Sequence, residues 1–197
     1  MKITCERCWQ RLCLSKNPTY GKHEVPYLPI WSINSMDTIT LGLSFSTRML
    51  GMAIFKENML MDYFLKLHKA KWSVEKQEFI LASLASCLAH YAITDVVILM
   101  PENHCLTDDF NKLLAAIQSF FEERTVATVI YEVNEVYRAF GSPVKRTRDS
   151  LMKRIVIFYP ELEKYYAKEL MNKNKYYVKL FEAVAVAGHH WLKQQQK

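Results

Sequence analysis

The sequence predicts an α/β domain built on a mixed five-stranded sheet: a three-strand antiparallel meander, then two parallel strands, with helices on both faces. Three observations predict it. Three β-type runs follow one another between residues 39 and 67 with only short links. Two further apolar runs then alternate with stretches of helical periodicity, and the remainder of the chain is helical. That order of elements suits one sheet covered on both sides.

The elements follow in turn. Ile39 to Phe45 is a short apolar run suited to a strand, and Arg48 to Phe55 is a second. Glu57-Asn58 offers a turn, and Met59 to Leu67 shows the rough alternation of a third strand. A helix is expected from Val74 to Ala92, with Ile80, Leu84, Leu88 and Tyr91 on one stripe and Ser73 as its N-cap. Asp95 to Met100 reads Asp-Val-Val-Ile-Leu-Met, the continuous apolar run of a strand buried on both faces, and Pro101 ends it. Phe110, Leu113, Leu114, Ile117, Phe120 and Phe121 mark a helix from Asp108 to Glu123. Ala127 to Tyr131 makes the fifth strand, and helices follow near Glu135–Phe140, Arg148–Phe158 and Lys175–Leu192.

At 197 residues the chain is long enough for one domain with a sizeable core. Half of it is hydrophobic and 23% is charged, the balance of a globular protein. No apolar run reaches the ~18 residues needed to span a membrane, and the N-terminus lacks a signal peptide's apolar core, so a cytoplasmic protein is expected. The formal charge of +6 makes polyanions plausible partners. Residues 1–35 hold three prolines and three of the five cysteines without sustained periodicity, and read as an arm or small appendage before a domain spanning 36–197. Cys5 and Cys8 have zinc-knuckle spacing, with Cys13 and His23 as third and fourth ligands of a zinc site; the alternative is three reduced thiols in an arm. No Walker loop, dinucleotide fingerprint or nucleophile elbow is present.

Three short motifs carry a resemblance. Leu41-Gly42-Leu43-Ser44-Phe45-Ser46-Thr47-Arg48 and the following Gly51 resemble the opening hairpin of the RuvC Holliday-junction resolvases, which have the RNase H-like fold. Gly141-Ser142-Pro143-Val144-Lys145, followed by Leu151-Met152, is similar to that family's Gly-Ser-Ala-x-Lys loop and the helix after it. Glu182-Ala183-Val184-Ala185-Val186-Ala187 resembles the Asp-Ala-Leu-Ala-Ile-Ala of its last helix. The resemblance implies a homodimer acting on branched or duplex DNA. It also implies a carboxylate centre holding two divalent ions, Mg²⁺ or Mn²⁺, about 4 Å apart.

The departures from the family's pattern fall on that centre. The strand-one acid falls on Ser44, the strand-four acid on Met100, and the two last-helix acids on Lys179 and Glu182. Only Glu182 keeps a carboxylate, which implies a degenerate, impaired or inactive endonuclease. Glu102, two residues past Met100, and His189, two helical turns past Glu182, are the residues that could rebuild a catalytic metal site with Glu182. For His189 and His190 the alternative is a solvated helix end. Lys145, Arg146, Arg148, Lys153 and Arg154 are candidate nucleic-acid contacts. So is a second basic group that includes Lys164, Lys168 and Lys179 and is interleaved with Tyr165, Tyr166, Tyr176 and Tyr177. Three functions follow: a nucleic-acid-binding protein that does not cut or cuts poorly, an active endonuclease with a rearranged acid set, or a scaffold keeping only the fold.

Overall fold

The computed structural model describes residues 38–102, 104, 106–140, 147–172 and 175–196. Lys145, Arg146 and the four residues of the expected zinc site lie outside them, as does the N-terminal arm. The described chain forms five strands, β1 (Ile39–Phe45), β2 (Met49–Lys56), β3 (Met59–Leu67), β4 (Asp95–Met100) and β5 (Ala127–Glu132). Its helices are α1 (Val74–His90), α2 (Asp108–Glu122), α3 (Val133–Phe140), α4 (Arg148–Phe158), α5 (Glu163–Met171) and α6 (Val178–Gln194).

The sheet order is β3-β2-β1-β4-β5. The first three strands pair antiparallel, while β4 runs parallel to β1 and β5 parallel to β4. Strand periodicity of two sorts β1 into two faces. Leu41, Leu43 and Phe45 join Leu50, Met52, Ile54, Val96 and Ile98 in a core closed by α1 and α2. Ala53, Phe55, Val97 and Leu99 face the opposite core, built from α3, α4 and α6. Gly42 and Ser44 belong to that second face by alternation.

Helix ends follow the chemistry of their capping residues. The Ser73 hydroxyl accepts from the Lys76 N–H at α1, and Thr107 does the same for Phe110 at α2. Thr147 and Ser150 cap α4 reciprocally. Helix α1 stops at His90, short of the expected Ala92, because Tyr91 turns to extended backbone and its phenol donates to Asp62 at 2.6 Å. Helix α6 starts at Val178, later than expected. The buried Glu169 carboxylate accepts the backbone N–H groups of Tyr176 and Tyr177 and holds them outside the helix. Helix α5 is an element that the apolar pattern did not delimit, begun by the Pro160–Leu162 3₁₀ turn.

Helix α6 lies directly on the sheet. A Cβ at Gly42 would sit 2.2 Å from the Ala183 carbonyl oxygen, and one at Gly51 would sit 2.1 Å from that of Lys179. The α6 residues that meet β1 at Gly42 are correspondingly small, Ala183 and Ala187, both buried. Among the described residues no helix is long and apolar enough to cross a membrane.

The close approach has a measurable consequence. Gly42→Ala forces the helix away from β1, an overpacking cost of about 1–3 kcal/mol. Urea unfolding of the variant is expected to show a lower midpoint with an unchanged slope.

Candidate functional site

Four elements converge where β1 and β4 end. Strand β1 brings Ser44, α3 brings Tyr137, the first turns of α6 bring Lys179 and Glu182, and the start of α4 brings Arg148. Tyr137, Arg148, Lys179 and Glu182 border a cleft of about 210 Å³ that Leu99 and Glu102 also line, with Ser44 fully buried beneath Glu182. Glu182 is its centre. Although only 3% of the residue is exposed, both carboxylate oxygens are engaged. Oε2 accepts from the Ser44 hydroxyl at 2.7 Å and from the Lys179 ammonium at 2.7 Å. Oε1 accepts from the Tyr137 phenol at 2.9 Å.

The environment is that of a satisfied buried ion pair. A buried carboxylate is costly without partners, and charge-assisted hydrogen bonds offset that cost. Burial and the neighbouring Glu182 charge push the Tyr137 phenol well above the usual tyrosine range, with Arg148 opposing them. Around the cleft the charges balance in pairs, Glu182 and Glu102 against Lys179 and Arg148.

The residues expected at the site are brought together only in part. Ser44, Lys179 and Glu182 meet as the resemblance implied. Met100 does not join them: it packs with the α1 and α2 core on the far side of the sheet. The β4 residue facing the cleft is its neighbour Leu99, because one residue along a strand changes face. Either way β4 contributes no carboxylate there. Glu102 lines the same cleft from its rim, about half exposed and 3.3 Å from the His104 imidazole. His189 is drawn elsewhere, since two helical turns carry it about 10 Å along the axis from Glu182. Its Nε2 lies 3.2 Å from Glu135, which also pairs with Lys193, and its ring packs edge-on against Tyr131. Both histidines are buried, at 6% and 7% exposure, so the solvated helix end is corrected.

The centre does not suit divalent ions. Magnesium asks for six oxygens in near-octahedral array. Here the one carboxylate already accepts from three donors, one of them cationic, and both of its oxygens are engaged. Among the described residues no group of three or more His, Cys, Asp or Glu is placed to hold a metal.

The basic residues divide likewise. Arg148, Lys153 and Arg154 are exposed at α4, and Arg154 also stacks over Phe158. Lys164 and Lys168 are exposed on α5. The ammonium of Lys179 is committed to Glu182. Tyr63, Tyr165 and Tyr177 pack ring against ring, and Tyr166 packs on Phe181, so these tyrosines serve the core more than they offer open platforms. Tyr137 is a site member that the resemblance did not point to. Its signal was a phenol on the apolar stripe Val133, Val136, Tyr137 and Phe140, where a buried hydroxyl requires a partner.

The strand order, the antiparallel opening meander and the helices on both faces define an RNase H-like fold. Among solved structures the chain is similar to that of Thermus thermophilus RuvC, with a TM-score of 0.62 and 14% identity over 81% of this chain and 97% of that one. It is equally similar to T. thermophilus RuvC in complex with a Holliday junction substrate, with a TM-score of 0.61 and 14% identity over 80% and 96%. No family model and no curated protein matches the sequence. At this identity the likeness is one of fold.

Tyr137 provides a test of the centre. Tyr137→Phe removes one hydrogen bond to a charged acceptor, a loss of about 1–3 kcal/mol. A pH effect accompanies it. An unfolded tyrosine loses its proton near pH ~10. Folded Tyr137 keeps its proton beyond that, so its contribution is complete below that pH and is lost as pH rises above it. Thermal melts between pH 9 and 11 are expected to fall less steeply for Tyr137→Phe than for the parent.

Proposed function

We propose that this protein binds nucleic acid, branched or duplex DNA, and is impaired or inactive as a metal-dependent endonuclease. The observation that carries the reading is the single carboxylate, Glu182, at the centre of an RNase H-like fold, with both oxygens hydrogen-bonded and one of them paired to an ammonium. Hydrolysis of a phosphodiester by two divalent ions needs oxygen ligands that bind both and leave room for water and substrate. Ser44, Leu99 and Lys179 supply no carboxylate, and Glu182 has no unengaged oxygen.

Binding rests on charge. The exposed Arg148, Lys153 and Arg154 lie beside the cleft or on the helix that starts there, and Lys145 and Arg146 precede them in sequence. Such residues act on phosphates, releasing counterions without reading bases. The solved complex of T. thermophilus RuvC with a Holliday junction, a protein of the same fold, supports four-way DNA as the first ligand to try. A pair of identical subunits on such a junction is part of the proposal.

Glu102 favours a second reading. It is a second carboxylate on the same cleft, and an active endonuclease would have to recruit it, with Glu182 freed from Lys179, to hold Mg²⁺ or Mn²⁺.

Junction, duplex and single-stranded DNA with millimolar Mg²⁺ or Mn²⁺ separate these readings. The expected outcome is binding without cleavage. Cleavage abolished by Glu102→Gln and by Glu182→Gln selects the second reading, and absence of binding at moderate salt selects a scaffold.

Binding is expected to weaken steeply with salt. Lys145→Ala, Arg146→Ala and Arg148→Ala together should weaken it on all sequences alike. Each lost contact is expected to reduce the log–log salt slope by about 0.7–0.9 in magnitude. Filter binding or anisotropy across a salt series measures both quantities.

A further inference from the structure

We propose that the ammonium of Lys179 is the resident cation of this centre, holding the place that a divalent ion would take between Ser44 and Glu182. The inference goes beyond nucleic-acid binding and stands without it.

Geometry is the first support. The Lys179 Nζ and the Ser44 Oγ both lie 2.7 Å from the same oxygen, Glu182 Oε2. That oxygen therefore has its cation and its second donor already in place. The ammonium is also held there by the backbone: Gly51 allows the Lys179 carbonyl to lie against β2, which fixes where the lysine side chain begins.

Charge balance is the second support. The Lys179 and Glu182 side chains are 17% and 5% exposed. One buried carboxylate is neutralised by one ammonium. A divalent ion in the same place would leave an excess positive charge in a poorly solvated site, which is expensive. The lysine is also tethered, sitting three residues before Glu182 on the same helix, where side chains meet. A metal ion has to arrive from solution and shed much of its hydration. The ion pair is thus complete without any metal.

The proposal predicts how the centre responds when its cation is removed or exchanged. Lys179→Met leaves Glu182 buried without a counter-ion, so its melting temperature at pH 7 is expected to fall. Adding Glu182→Gln to Lys179→Met should recover much of that loss, because a neutral amide needs no cation. Ser44→Asp with Lys179→Asp removes the ammonium and brings two carboxylates to Glu182. That protein is expected to bind one Mn²⁺ by calorimetry and to melt about 5–10 °C higher at a hundredfold excess over Kd. Adding Glu182→Gln should abolish the effect. The parent should bind no Mn²⁺ at the centre, so Glu182→Gln should leave any weak surface binding unchanged.

Three results would overturn the proposal: Glu182-dependent Mn²⁺ binding by the parent, a melting temperature unmoved by Lys179→Met, or a folded Ser44→Asp, Lys179→Asp protein that binds no Mn²⁺. If that last variant does not fold, the parent titration and the Lys179→Met, Glu182→Gln pair decide the matter. No DNA enters these measurements, so failure of the nucleic-acid reading leaves them intact.

Discussion

The contact on which the structure depends is the backbone approach of α6 to β1 and β2. Gly42 and Gly51 remove the two Cβ atoms that would otherwise hold the helix off the sheet. With the helix seated, Ala183 and Ala187 fit over β1, and the first turn of α6 falls beside Ser44. The position of Glu182 and Lys179 is thus set by packing that is independent of their charge. A centre of different chemistry can sit on the same seat, because the glycines and alanines, and not the ionic groups, fix the geometry.

What sits there is a polar cluster closed on itself. Hydroxyl, phenol and ammonium arrive from β1, α3 and α6 and meet on one carboxylate. Each donor would be a liability alone in a buried place, and together they satisfy one another. The same cluster ties α3 to α6 at the cleft, while Glu135 with His189 and Lys193 ties them at another point of α6. A phenol–carboxylate hydrogen bond at one point and an ionic tie at the other therefore fix one short helix on one long one, with Val136 and Phe140 buried in the same core.

Much of this was legible in the sequence. The alternation of Leu41, Leu43 and Phe45, the run Val96 to Leu99, and the stripe from Phe110 to Phe121 each reflect burial on a regular element. Regular elements write their period into the chain. Ser73 announced the start of α1 because its hydroxyl has a defined donor to satisfy. The meeting of Ser44, Lys179 and Glu182 came through resemblance, since no local pattern joins residues so far apart. The face of Met100 was misplaced because ungapped alignment near a strand end cannot detect a shift of one residue, and one residue reverses the face. The partners of His189 and Tyr137 are tertiary facts: nothing in the neighbourhood of either residue names Glu135 or Glu182. The late start of α6 is similar, imposed by Glu169 from the preceding helix.

The hydrogen bond between Ser44 and Glu182 spans 138 positions of the chain. During synthesis, the strand that carries Ser44 emerges long before the helix that covers it. Until α6 arrives, the side of the sheet bearing Gly42 and Gly51 has no lid of its own, and closing it joins the two ends of the domain across a very long loop. Distant closure of this kind slows folding more than it weakens the finished structure. The interval between making the first strand and making the last helix is therefore when this chain is most open to misassociation.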